Sequence, residues 1–208
     1  MDKQTKPLYT IGYSGFTPDE FIAVLKKNEI DVVADVRSSP YSKFRPEYNH
    51  DNLKALLKND DIRHVFLGDL VGARIDDKAC YVNGKADYDL IAAHPKFREG
   101  LNRIRAGMEK YRIALLCAEK DPITCHRTIL ICRNLKGNDI RIFHIIDSGR
   151  VETQEECEKR LIKYLKLDQR KLFHDDSDLV ADAYRMQADK IAYVAETGAG
   201  YTVEEGEG

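Results

Sequence analysis

The sequence predicts an α/β fold of three layers: a mainly parallel sheet of about five strands, helices on both faces, and a helical extension at the C-terminus. Three observations predict it. Short apolar runs alternate with amphipathic runs of about 10–15 residues, the pattern of βαβ units. Residues 31–36 and 112–117 are almost continuously apolar, as strands covered on both faces are. The chain has 208 residues, 43% hydrophobic and 33% charged, enough for one domain with a buried core and no disulfide staples.

Each element has its own signal. Leu8 to Tyr13 reads as a first strand. Thr17 with Glu20 fits a capping box, and the helix it opens buries Phe21, Ile22 and Leu25. Asp31 to Val36 is a second strand, and an irregular loop from Ser38 to Pro46 follows. Leu53, Leu56 and Leu57 mark a short helix before a third strand, Ile62 to Leu67. A longer connection runs from Gly68 to Gly84. Pro95 opens a helix with apolar residues at Phe97, Leu101, Ile104, Met108 and Tyr111, the helical period. Arg112 to Cys117 is a fourth strand. Thr124 is placed to cap a helix that runs to Leu135 and stops at Gly137. Ile140 to Ile146 is a fifth strand; Cys157, Leu161 and Leu165 stripe one more helix, and Leu179 to Val194 gives a last one. The pattern suits a Rossmann-like or flavodoxin-like sheet.

Charge divides the chain. Residues 175–208 hold nine acids and two bases, a balance of −7, so residues 1–174 carry +5 of the net −2. Residues 7–174 are expected to form a single α/β domain, and 175–208 an acidic helical extension with a disordered tail from Gly198. The extension would cover part of the domain or a second copy of the chain as a homo-oligomer, or else stand as a solvated acidic tail. No apolar run approaches a membrane span, and the polar first residues lack a secretory signal pattern. Five cysteines, an odd number without framework spacing, point to a reducing cytoplasm. The Gly68–Gly72 turn has neither the dinucleotide fingerprint nor the P-loop lysine, so neither NAD nor a Walker-type nucleotide site is expected.

Ligands of open parallel sheets sit beyond the carboxyl ends of the strands. That edge collects Ser14 after strand one, Asp35, Arg37 and Ser38 around the end of strand two, and Cys117, Glu119, Asp121, Cys125, His126 and Arg127 after strand four. With Thr124 as cap, Cys125, His126 and Arg127 would sit in the first helical turn, where free amides and the helix dipole attract an anion and lower a thiol pKa. Three readings stand side by side. Arg37 and Arg127 hold a phosphate-like group, with Asp35, Glu119 and His126 for acid–base work. Alternatively Cys117, Cys125 and His126 bind zinc or iron, with Glu119 as a fourth ligand. Or the two cysteines are buried small hydrophobes. Asp35 has a structural reading too, as the partner of Arg37. Tyr41, Lys43, Phe44 and Arg45 interleave bases and aromatics, as a surface that stacks nucleobases does. His64 and His144 fall in strands and read as core or sheet-edge residues; His50, His94 and His174 have no evident partner.

Four segments together resemble the family catalogued as domain of unknown function 488: Thr10-Ile-Gly12-Tyr-Ser14, Asp35-Val-Arg37-Ser38-x-Pro40, Leu67-Gly68-x-Leu70-x-Gly72, and Leu116-Cys117-Ala-Glu119 with Cys125-His126-Arg127. The resemblance spans roughly residues 7–165 and departs at Asp69, where a second glycine is usual. It implies an α/β fold and a cytoplasmic bacterial or archaeal protein, but no settled activity. Its signature residues are the polar ones of the sheet edge, which favours a shared site there. The leading expectation is an enzyme acting on a phosphorylated, nucleotide-like or nucleic-acid substrate. In it Ser14, Arg37, Ser38 and Arg127 bind, and Asp35, Glu119, Cys125 and His126 carry the chemistry. The alternatives are a metal-binding protein using Cys117, Cys125 and His126, and a regulatory or nucleic-acid binding module without catalysis, whose binding would weaken steeply with salt.

Overall fold

In the computed structural model, which describes residues 6–137, 139–170 and 175–195, the chain builds a six-stranded sheet with helices on both faces. The order is β1 (Lys6–Gly12), α1 (Pro18–Lys27), β2 (Val32–Asp35), α2 (His50–Lys58) and β3 (Arg63–Phe66). Then come α3 (Gly68–Val71), a hairpin of β4 (Tyr81–Val82) and β5 (Lys85–Ala86), α4 (Tyr88–Ala93) and α5 (Pro95–Met108). β6 (Ile113–Cys117) precedes a π-helix, Arg127–Cys132, that runs into α6 (Arg133–Leu135). The last described elements are β7 (Ile140–Ile145), β8 (Val151–Thr153), α7 (Gln154–Tyr164) and α8 (Asp176–Ile191). His174 and the segment from Gly198 lie outside the described residues.

The sheet order is β3-β2-β6-β1-β7-β8. The first five are parallel, and β8 returns antiparallel to β7. The five expected strands are therefore present. β8 and the β4–β5 hairpin are additions, each too short to make a period in the sequence. Among the parallel strands the order is not that of either named doubly wound sheet.

Every residue of β2 and β6 is buried, which explains why both are apolar but for Asp35 at the end of β2. On one face α1 and α2 bury Phe21, Leu25, Leu53 and Leu57 against Ile11, Val33 and Leu116. On the other, α5, the π-helix, α7 and α8 bury Phe97, Ile104, Ile129, Leu161 and Leu179 against Leu8, Val32 and Leu115. Each such side chain contributes about 1.5–3 kcal/mol by leaving water. The capping box at Thr17 and Glu20 is present: the Thr17 hydroxyl accepts from the Glu20 amide, and the Glu20 carboxylate accepts from the Thr17 amide at 2.8 Å. A second box, Thr153 with Glu156, opens α7.

The segment after β6 corrects the expected cap. Thr124 does not open the helix; it closes a 3-10 turn, Pro122–Thr124, capped by the Asp121 carboxylate. The Thr124 hydroxyl donates to the Asp121 carbonyl, and no side-chain oxygen accepts from the first amides of the helix that follows. The first helical carbonyl is that of Cys125, which accepts from the Thr128 and Ile129 amides.

α8 lays Leu179, Ala183, Tyr184 and Gln187 onto its own domain. No helix among the described residues is long and apolar enough to cross a membrane.

Topology now places the site. β1 and β6 are neighbours, but α1 leaves β1 on one face while the π-helix leaves β6 on the other. Between two such strands a crevice opens at the carboxyl edge.

Candidate functional site

Four side chains converge where β6 ends. Glu119 Oε2 accepts from the Cys117 thiol at 3.0 Å and from the Cys125 thiol at 3.0 Å. His126 Nε2–H donates to the Val36 carbonyl at 3.0 Å, a tautomer assigned from its partner. That leaves the Nδ1 lone pair facing both sulfurs, 3.5 Å from Cys117 Sγ and 4.0 Å from Cys125 Sγ. The three atoms Cys117 Sγ, Cys125 Sγ and His126 Nδ1 all lie within 4.8 Å of one another. Two tetrahedral ligands of one zinc, at its usual Zn–S and Zn–N lengths, stand about 3.5 Å apart. A histidine fixed by a backbone carbonyl on its other nitrogen is the usual outer partner of a metal ligand.

The same atoms set the electrostatics. Burial alone would push the Cys125 thiol up. The hydrogen bond from Cys117, the Arg127 cation and the His126 imidazole outweigh it and hold Cys125 well below the ordinary thiol range. Cys117 moves the other way: its hydrogen bond to Cys125, with burial, holds it well above. Burial, then the charge on Cys125, raises the Glu119 carboxyl. The cluster thus favours one negative charge; when Cys125 carries it, that sulfur accepts from the Glu119 carboxyl instead of donating to it. The Arg127 amide also points at Cys125 Sγ, at 3.4 Å. One of the helix amides expected to hold an anion therefore serves this sulfur.

The glycines of the two strand-end motifs make the convergence possible. A Cβ at Gly12 would stand 1.7 Å from the Glu119 carbonyl oxygen, and one at Gly68 1.9 Å from that of Arg37. The Glu119 and Arg37 loops pass through the space a side chain would fill. Asp69 faces solvent, so no second glycine is required there.

The two arginines expected to hold an anion are committed elsewhere. Arg127 is fully buried, and its guanidinium donates to the Glu119 and Lys120 carbonyls at 2.6 and 3.1 Å and to Thr10 Oγ1 at 3.3 Å. It pins the backbone that carries Glu119. Arg37 forms a bidentate pair with Asp35, at 2.8 and 2.6 Å, both buried. Burial alone would raise the Asp35 carboxyl; the Arg37 guanidinium bonded to it, with the His64 ring 3.6 Å away, outweighs burial and holds it low. This is the structural reading of Asp35.

A cleft of about 420 Å³ opens beside the cluster. Cys117, Glu119 and His126 reach it from the sheet edge, with Arg37, Ser38, Tyr13, Tyr88, Arg74 and Tyr193 around them. Ser38 helps shape the wall, since its hydroxyl accepts from the Arg74 amide at 3.1 Å. Ser14 is exposed and not among the lining residues; its amide donates to the Ala118 carbonyl. Tyr88, Arg74, Ile191 and Tyr193 were not evident in the sequence. The nearest signal is Asp87, which caps α4 and so fixes Tyr88 as its first residue. Arg74 and Tyr193 are 119 positions apart and meet only through the fold, with the guanidinium 4.2 Å from the ring centre.

The fold and this cluster define a three-layer α/β protein with a buried thiol–imidazole–carboxylate centre at the carboxyl edge of its sheet. The chain belongs to the family described as Domain of unknown function DUF488, whose model matches residues 17–133. No curated protein and no solved structure matches the chain. The matched segment holds the whole cluster, whereas Ile191 and Tyr193 of the cleft wall lie beyond it.

Proposed function

We propose that this protein is a metal-dependent enzyme. Cys117, Cys125 and His126 hold one zinc-class ion, with Glu119 as fourth ligand or as a base beside it, and the cleft takes a phosphorylated or nucleotide-like substrate. The observation that carries the reading is the direction of His126 Nδ1, which stands 3.5 and 4.0 Å from the two sulfurs. The Val36 carbonyl fixes the other nitrogen, so the lone pair faces two sulfurs that share one carboxylate oxygen. A bound ion would polarise a substrate oxygen or activate water. The substrate class rests on the cleft wall, where Arg74, held over the Tyr193 ring, offers a cation without an acid partner among the described residues. Arg74 thereby takes over the anion-holding role expected of Arg127.

The test is metal content of the full chain, purified without oxygen and without an affinity tag, beside Cys125→Ser and His126→Asn. About one ion per chain, lost in both variants, is the expected result. A metal-free protein that also fails to take up added Zn²⁺ would overturn it. A second reading, nucleophilic catalysis by Cys125, draws on the thiolate that Cys117, Arg127 and His126 favour. Cys125 is 1% exposed, so this reading predicts alkylation of Cys125 near neutral pH only by reagents small enough to reach it past the cleft, at a rate undiminished by added Zn²⁺.

A further inference from the structure

The sheet carries a second set of ligand-type side chains, on the face opposite Cys117. Asp35 ends β2, His64 lies on the neighbouring edge strand β3, and His50 begins α2, which packs over both. One carboxylate oxygen and one nitrogen from each histidine lie within 4.8 Å of one another. His64 Nε2 is buried and has no hydrogen-bond partner among the described residues. Its side chain is 3% exposed and that of Asp35 0%. A buried nitrogen with no partner costs about 1–3 kcal/mol, and it calls for an explanation.

Geometry supplies one. His64 Nε2 stands 3.6 Å from Asp35 Oδ2. That is too long for a hydrogen bond, but close to the roughly 3.4 Å that separates two ligands of one ion at zinc bond lengths. The His50 ring stands edge-on to the His64 ring, with centroids 4.9 Å apart, and completes the set. Arg37 takes two directions at Asp35 Oδ1 and one at Oδ2, so of the carboxylate's roughly four lone-pair sites one remains on Oδ2, the oxygen that faces His64.

We propose that Asp35, His50 and His64 form a second binding site for a borderline divalent ion. Two imidazoles with one carboxylate suit Fe²⁺, Co²⁺, Ni²⁺ or Zn²⁺, and disfavour Mg²⁺ and Ca²⁺, which take oxygen ligands. Arg37 already offsets the Asp35 charge, so this site binds more weakly than the thiolate site. His50 is only half-buried, which leaves the ion open positions toward solvent.

Co²⁺ titration of the full chain tests the site, because cobalt reports its ligands by colour. Cys117→Ser/Cys125→Ser removes the thiolate site and, with it, any sulfur-to-cobalt band in the near ultraviolet. The expected result is that this double variant still binds one Co²⁺, with weak visible bands only. His50→Gln in that background lowers the affinity at least tenfold, and His64→Gln abolishes binding, while Mg²⁺ at a hundredfold excess does not compete. His50 sits at a helix end and is half-exposed, so His50→Gln keeps the test sound if His64→Gln unfolds. Absence of Co²⁺ uptake by the double variant, or uptake indifferent to His50→Gln, overturns the proposal. The sulfur band alone reports the thiolate site, so the two metal readings succeed or fail separately.

Discussion

Arg127 and His144 are joined through a single hydroxyl. Thr10 Oγ1 accepts from Arg127 Nε at 3.3 Å and donates to His144 Nδ1 at 2.8 Å. His144 Nε2–H in turn donates to Gln154 Oε1 at 2.9 Å, and the amide nitrogen of Gln154 reaches the Tyr184 hydroxyl, which donates to Glu158. A buried polar chain therefore runs from the arginine behind the cysteine cluster to α8. Each member is satisfied only in one protonation state, which gives the first prediction.

His144 must stay neutral. Burial, with the nearby Arg127 cation, lowers its pKa to about 3. Its unfolded value is about 6.5, so below that pH the unfolded chain binds a proton the folded chain refuses. Stability is then lost as pH falls from about 6.5 toward 3, by up to about 1.4 kcal/mol per pH unit from this group. Urea unfolding between pH 7 and pH 5 should show the slope, and His144→Gln should flatten it. Equal slopes in the two proteins would count against the buried neutral histidine.

Asp35→Asn should destabilise the fold by about 3–5 kcal/mol in metal-free protein, because it leaves the Arg37 cation buried without its counter-ion. The double variant Asp35→Asn/Arg37→Met should recover part of that loss. Urea midpoints of the three proteins give the comparison. A double variant no more stable than the single one would mean that the pair does not behave as a unit.

Gly12→Ala and Gly84→Ala should differ in kind. At Gly12 the new methyl meets the Glu119 carbonyl, so the cost exceeds the ~1–3 kcal/mol of ordinary overpacking and the thiol–imidazole–carboxylate cluster is displaced with it. Gly84 has φ of +77° in open space, so alanine there costs only the left-handed backbone penalty of about 1–2 kcal/mol and leaves metal binding alone. Melting temperature and Zn²⁺ uptake, measured on both, separate the two effects.

Arg127→Lys keeps the charge but loses the fork that spans two carbonyls. It should lower stability by roughly 2–4 kcal/mol, given about 1.5–3 kcal/mol for each hydrogen bond from a charged group. Binding of inorganic phosphate, in contrast, should fall with Arg74→Ala and persist in Arg127→Lys. Phosphate binding lost only in the Arg127 variant would restore the anion-holding role to that residue.

The five parallel strands were legible as short apolar stretches, most nearly continuous in β2 and β6, where both faces are buried, and the longer helices by their period; α3 and α4 were too short to leave one. The cluster was legible as a set of residue types on one edge, since Cys117, Glu119, Cys125 and His126 lie within ten positions. Their partners were not. An arginine that binds substrate and one that binds two carbonyls look alike in sequence, so Arg127 read as a ligand-holder. Thr124 read as a helix cap because nothing local showed that the Asp121 carbonyl had taken its hydroxyl. His50 and His64 are 14 positions apart in separate elements, and only the packing of α2 over β3 brings them together.

Tyr193 bears on the order in which this protein is made. Its carbonyl accepts from the Ala86 amide, and the next bond, from Ala195 to the Gly84 carbonyl, ties the strap after α8 to the β4–β5 hairpin. The ligand-type residues of both clusters precede it by at least 67 positions. During synthesis, therefore, the cysteines, histidines and carboxylates emerge well before the wall that covers them. The cleft beside Cys117 is complete only once residue 193 has left the ribosome and docked.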